Sequence, residues 1–184
     1  MSATSRLLCS ADASAPGPGL LAGLNYDPRA EIIATGPNYG LAAFWFTLFD
    51  RSHLTHYESE RETIPTLVVQ REAAFLLLAD REQWLFDHFV GCQPFWNTWN
   101  RFVHSHTGAF FKVDAAELYW ESAEGYFEAQ LGAALRWFDS RAPEDFAELL
   151  MLSRLVYDPV GPRICFDGED HVEEEQLCGF FRAT

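Results

Sequence analysis

The residue types that could do chemistry are few and loosely spaced. Cys92 follows His88 by four residues and precedes His104 by twelve, which offers a Cys–His pair for nucleophilic catalysis. A thiol beside a helix start is acidified when solvent reaches it, and Pro94 marks such a start. The contexts D-H-F and G-C-Q-P match no nucleophile signature, so a small buried residue at a helix junction is the plainer expectation for Cys92. No G-x-S-x-G occurs. His104 and His106 would share a face only in an extended segment, because on a helix that spacing turns them roughly 200° apart. His53 and His56 stand three apart, and no third ligand follows at a zinc spacing, so neither metal nor cofactor is expected. His106 falls on the apolar face of its helix, where a hydrogen-bonded core histidine is the commoner role. Glu117, in the apolar context AAELYW, is a candidate buried acid, with a salt bridge to an arginine as the alternative. Carboxylate pairs such as Glu117 with Glu121, or Asp167 with Asp170, carry little specificity in so acidic a chain. No catalytic residue is assigned. A small cytosolic hydrolase using Glu117 or Cys92 with a histidine stays as the rival reading.

Composition narrows the partners. The 184 residues carry a net charge of −14, with 48% apolar and 15% aromatic residues, enough to bury a sizeable core. Residues 1–110 hold seven arginines against eleven acids, and residues 111–184 hold six bases against sixteen acids. The acidity therefore concentrates in the C-terminal third. Such a surface repels nucleic acid and anionic lipid and steers a basic protein. No phosphate-cradling glycine loop occurs. The opening residues have only a three-residue apolar run, too short for a signal peptide, and no 18-residue apolar stretch exists. A cytoplasmic protein with four reduced, mostly buried cysteines is expected.

The elements that must position these residues follow from periodicity. Residues 5–10 (SRLLCS), 31–35 (EIIAT), 66–70 (TLVVQ), 109–113 (AFFKV) and 163–167 (RICFD) read as short strands. Leu41, Phe44, Trp45, Leu48 and Phe49 line one face of a helix. Residues 50–63 read as a solvated connection. Residues 71–106 hold three of the six tryptophans and read as consecutive helices forming the hydrophobic centre. A break is expected at Asp80, whose spacing to Gln83 resembles a capping box. Gly91 suits the residue after a helix end. On the third helix Phe95, Trp99, Phe102, Val103 and His106 share a face, which leaves Trp96 off it. Residues 114–120 (DAAELYW) fit either a strand extension or a helix. Residues 124–139 form a helix, and another starts at Pro143 and runs on through Val156 and Tyr157. Loops are expected over residues 11–19 and, strongly acidic, 168–176. The sum is one α+β domain over residues 1–184, helix-dominated, with about six helices and three to five short strands.

Four stretches carry a resemblance. Residues 5–10 (SRLLCS), 25–27 (NYD) and 38–49 (NYGLAAFWFTLF) resemble a loosely defined group of bacterial proteins. These begin with an R-x-x-L strand and continue to an N-Y-led or N-W-led helix. Several look like immunity proteins that neutralise a toxin of a polymorphic or secreted toxin system. Residues 111–120 (FKVDAAELYW) resemble that group's later segment with an acidic residue, here Glu117. The resemblance implies no catalytic residue. It implies a toxin partner, and the charge adds that this partner has a basic surface. Asp167, Glu169, Asp170, Glu173, Glu174 and Glu175 are the expected acidic contact surface, with Trp96 as an aromatic anchor. Self-association through Trp96, Phe180 and Phe181 is a third possibility.

Overall fold

Strand-forming runs rich in β-branched and aromatic residues build the sheet, and the computed structural model describes residues 3–13, 30–58, 62–155, 164–166 and 171–181. Five antiparallel strands lie in the order β2-β1-β6-β4-β3. They are β1 (Arg6–Ser10), β2 (Ala30–Thr35), β3 (Leu54–Glu58), β4 (Thr63–Gln70) and β6 (Phe110–Asp114). A parallel pair, β5 (Phe89–Val90) with β7 (Ile164–Cys165), stands apart. The α-helices are α1 (Arg71–His88), α2 (Gln93–Ser105), α3 (Ala116–Glu121), α4 (Tyr126–Ser140), α5 (Pro143–Leu152) and α6 (His171–Cys178). The expected α+β class, rich in helix, is the class observed.

The sheet divides its residues by alternation. Leu7, Cys9, Leu67, Val69, Phe111 and Val113 enter the main core. Arg6, Lys112 and Asp114 are also buried, on the opposite face. Pro65 is tolerated inside β4 because only β3 pairs there, and β6 joins from Leu67 onward.

Several elements differ from their sequence reading. Residues 41–49 do not form an amphipathic α-helix. A 3-10 helix spans Ala43–Leu48, and all six of its residues are buried. The segment has no polar face to offer water, so it sits wholly inside. Side chains tie it in place: Thr47 Oγ1 donates to the segment's own Phe44 carbonyl at 2.5 Å, and Trp45 Nε1 reaches out to donate to the Cys178 carbonyl at 2.9 Å. Arg81 donates to the Phe46 carbonyl at 2.9 Å and also to the Phe49 carbonyl. Its guanidinium lies 4.4 Å from the centre of the Phe138 ring.

Helix α1 continues through Asp80 without a break. Asp80 is exposed and costs a helix interior little, while Arg81 turns inward. Gly91 does adopt a left-handed backbone, φ +86°, but β5 intervenes between it and the helix end. Residues 50–63 are not merely a connection. A 3-10 turn at Arg51–His53, capped by Asp50, leads into β3. The ambiguous residues 114–120 split: β6 ends at Asp114, whose Oδ1 accepts from the Ala116 amide at 3.2 Å and starts α3. Helix α5 ends at Leu152, and Val156 and Tyr157 lie outside the described residues. So does most of the 11–19 loop. The acidic stretch expected as a loop over residues 168–176 is helical from His171.

Arg81→Met should remove the guanidinium from the Phe49 carbonyl and from the Phe46 carbonyl, which keeps only the Phe49 amide at 3.4 Å, and a lost donor at a buried carbonyl costs about 1–3 kcal/mol. We expect an unfolding free energy lowered by roughly 2–4 kcal/mol, seen as a lower urea midpoint at unchanged slope. Arg81→Lys should recover part of it, because both bonds leave one nitrogen, Nη1, and an ammonium carries three donors. A midpoint unchanged in Arg81→Met would show that the carbonyls do not need that guanidinium.

Candidate functional site

Glu117 sits in the first turn of α3, and Arg6 and Asp114 are register partners across β1 and β6. Arg6 Nη2 donates to Glu117 Oε1 at 2.8 Å, and Nη1 to Asp114 Oδ2 at 3.3 Å. The Thr4 amide donates to Glu117 Oε2 at 2.9 Å. All three charged side chains are buried. Burial pushes the Asp114 carboxyl up, against the lowering effects of the Ala116 amide and Arg6. Nearby, the Tyr57 hydroxyl is buried without a hydrogen-bond partner, and burial together with the Asp114 charge pushes it well up. One cation thus serves two carboxylates. The clefts described here are not lined by either carboxylate. The arrangement fastens the sheet to α3.

Cys92 and the histidines do not meet in a reactive pair among the described residues. Cys92 is buried, and burial pushes its thiol up to about 12, away from the thiolate a nucleophile needs. His88 Nδ1 faces the Trp84 carbonyl at 2.9 Å, His104 Nδ1 the Asn100 carbonyl at 2.8 Å, and His106 Nδ1 the Phe102 carbonyl at 2.9 Å. Each imidazole folds back on the turn before it. His53 is taken up by Asp50 and His56 by Glu128, both at 3.0 Å. Among the described residues no group of three His, Cys, Asp or Glu is placed to hold a metal ion.

The expected contact residues separate. Asp167, Glu169 and Asp170 lie outside the described residues. Glu173, Glu174 and Glu175 are half-buried on α6. Glu174 and Glu175 line a hollow of about 210 Å³ with Gly179, Phe180 and Phe181. Partial burial pushes the Glu175 carboxyl up. Gly179 makes the turn behind this hollow with φ +81°, where a Cβ would come within 2.7 Å of the Thr35 carbonyl. Phe180 pairs its backbone with Thr35 and leaves its ring exposed, whereas Phe181 packs 4.0 Å from the Phe102 ring. Trp96 is not a surface anchor. It is 0% exposed, its Nε1 donates to Glu82 Oε1 at 2.6 Å, and its ring meets Phe44 edge-on at 5.3 Å. Helix α2 is buried on more than the face the spacing picks out, because the 3-10 segment covers Trp96.

One feature was missed. A cleft of about 690 Å³ lies where α3, α4 and α5 meet the loop after β2. Tyr39, Tyr126 and Met151 line it, exposed by 38%, 52% and 46%. Tyr39 and Arg154 both hold left-handed backbones, φ 58° and 57°, which β-carbon-bearing residues adopt at a cost. Arg154 Nε donates to the Tyr39 carbonyl at 2.7 Å, and Gln176 of α6 donates to the Arg154 carbonyl at 2.7 Å. Gln130 Nε2 donates both to Tyr126 Oη at 3.2 Å and to Glu148 Oε2 at 2.9 Å. Glu121 lines the same cleft. On the α3–α4 corner, partial burial and then the charges of Glu62, Glu124 and Glu128 push the Tyr119 phenol up. The available signal was Tyr126, which stands off the 127/131/134/135/138 apolar face. Tyr39 and Met151 gave none.

Arg6→Met should strand Asp114 and Glu117 without their cation, at a cost of about 3–5 kcal/mol at pH 7–8. Asp114 already has a raised folded value, and removing Arg6 raises it further. A carboxyl of that kind favours the fold below its unfolded value of about 3.9 and loses that contribution as pH rises through the folded one. The variant's deficit should therefore shrink from pH 8 towards pH 5 in urea melts. A deficit constant across that range would contradict the assignment.

No protein-family model, curated protein or solved structure matches this chain.

Proposed function

We propose that this chain is an immunity-type binding protein, which neutralises a toxin with a basic surface by occluding its active or substrate-binding face. The observation that carries the reading is the hollow beside α6. There a partly desolvated carboxylate, Glu175, adjoins the exposed ring of Phe180. Among the described residues no cation faces Glu175. A carboxylate held out of water gains from an arriving cation, and an exposed aromatic ring beside it supplies apolar contact. The net charge of −14 adds long-range attraction for such a partner. The likeness of residues 5–10, 38–49 and 111–120 to immunity-type proteins gives the reading its biological setting.

The test is co-expression with the product of the neighbouring open reading frame, followed by association kinetics on the purified pair. The wild-type chain should protect the cell. The triple variant Glu173→Gln, Glu174→Gln, Glu175→Gln should associate about tenfold more slowly at low salt, with the difference fading as salt screens the charges. Protection and rates that match the wild type at every salt would remove α6 from the contact. A neighbouring product that is bound by neither form would remove the reading itself.

A further inference from the structure

The sheet has an open edge beside the acidic hollow. Strand β2 is an outer strand, bonded on one side to β1. On its other side Thr35 exchanges both backbone hydrogen bonds with Phe180. Its amide donates to the Phe180 carbonyl at 3.0 Å, and its carbonyl accepts from the Phe180 amide at 2.7 Å. This is a single antiparallel bridge, and among the described residues no chain pairs with the same edge from Glu31 to Ala34. The register skips Ile33 between the Leu7–Ala34 and Leu8–Ile32 pairs, which makes a bulge there. Counting back from Thr35 across that bulge, Ile32 is the next residue whose amide and carbonyl turn outward. Unpaired groups on an edge are a template for another extended chain.

A groove of about 870 Å³ runs along this edge. Residues 31–35 form one wall over roughly 17 Å, taking about 3.4 Å per residue. Phe102, Ser105, His106 and Thr107 at the end of α2 form the other, and Phe180 and Phe181 close it. The same two phenylalanines line the α6 hollow, so groove and hollow are continuous. The fixed charges in the two linings are Glu31, Glu174 and Glu175, and among the described residues neither lining holds a lysine or an arginine. Arg71 reaches the rim at Thr107, where it donates to the Thr107 carbonyl and to Glu72. The last carbonyls of α2 add partial negative charge to the same wall. A cation is favoured here and a carboxylate repelled. A second copy of the chain is a poor occupant, because it would set two acidic edges together between molecules of net charge −14 each.

We infer that the partner protein adds a short, basic, extended segment to the outer edge of β2, with one basic side chain at Glu31 and another at the α6 hollow. Strand addition takes its affinity from backbone hydrogen bonds and its specificity from side chains. The bulge at Ile33 keeps the paired stretch short, and Glu31 selects the charge of what pairs. Both are devices that blunt an edge against indiscriminate pairing. The inference rests on the protein-binding reading and names how the partner's backbone is gripped.

The chain has four isoleucines; Ile32 and Ile33 line the groove, while Ile64 and Ile164 lie elsewhere and serve as controls. The intact chain, labelled with ¹³C at the isoleucine δ-methyls, would be titrated with a capped hexapeptide alternating arginine and valine. The same peptide N-methylated at every amide, and its glutamate counterpart, complete the set. Ile32 and Ile33 should move with the arginine peptide while Ile64 and Ile164 stay. N-methylation should weaken the response at least about tenfold, because it removes the backbone donors. The glutamate peptide should give none. Ile32→Pro deletes an outward N–H on an edge strand, where proline is tolerated. Its urea midpoint should stay near the wild type's, while Ile33 responds to the arginine peptide about tenfold more weakly. Glu31→Gln should weaken the peptide several-fold at low salt. Groove resonances that stay fixed at millimolar arginine peptide, or that move equally with the N-methylated or glutamate peptide, overturn the inference. A toxin bound equally by the wild type and by Ile32→Pro would also overturn it, while leaving the proposed function standing. An arginine peptide that pairs with β2 in a chain that protects against no toxin would do the reverse.

Discussion

A charged side chain holds the centre of this protein. Residues 43–48 form a 3-10 helix with no face towards water, and a 3-10 turn leaves carbonyls without partners at its end. Arg81 enters from the side of α1 and donates to the Phe49 carbonyl and to the Phe46 carbonyl, which also accepts from the Phe49 amide, with the Phe138 ring beneath its guanidinium. Burying a cation is expensive, and it is tolerated here because carbonyl oxygens and a π-face replace its hydration. Helices α1, α5 and α6 are all built against this segment. The Trp45 indole fixes α6 through the Cys178 carbonyl, and α6 in turn positions Phe180 and Phe181. The surface that carries the acidic hollow therefore depends on packing at the centre.

The sheet shows the same economy on its far side. Charges there are not at the rim but between elements: Arg6 ties β1 and β6 to α3 by bridging two carboxylates. A buried ion group of this kind is weak evidence of stability and stronger evidence of a specified arrangement, because a mispaired register would strand at least one charge. Asp114 serves twice, as an ion-pair partner and as acceptor for the first amide of α3, that of Ala116. It converts the end of a strand into the start of a helix.

Most strands were legible because β-branched and aromatic runs bounded by turn residues have few other solutions, as in residues 5–10 and 109–113. Helices α2, α4 and α5 were legible from spacing and from Pro94 and Pro143 at their starts. Residues 41–49 misled because i, i+3, i+4 spacing picks out an α-helical face, whereas the residues between the apolar ones are themselves almost all apolar, and that alone signalled complete burial. Asp80 misled because a capping pattern inside a helix that packs elsewhere is merely an exposed acid. The burial of Glu117 was readable from its neighbours, but its partner Arg6 is 111 residues away and no local pattern reports it. The α3–α5 cleft was illegible for the same reason. Tyr39 and Met151 are brought together by the loop after β2 and the end of α5, and each is unremarkable in its own segment.

Lys112 gives the molecule an unusual chemical property. It is the chain's single lysine, it lies on the central strand β6, and its side chain is wholly buried, with Asp12 at 3.5 Å. Every other fixed positive side chain is an arginine. The native surface therefore carries no lysine ε-amine for acylating or cross-linking reagents to capture. Modification at Lys112 would require the chain that covers this face of the sheet, Asp12 included, to move aside, so this one amine works as an internal clock for how often that cover lifts.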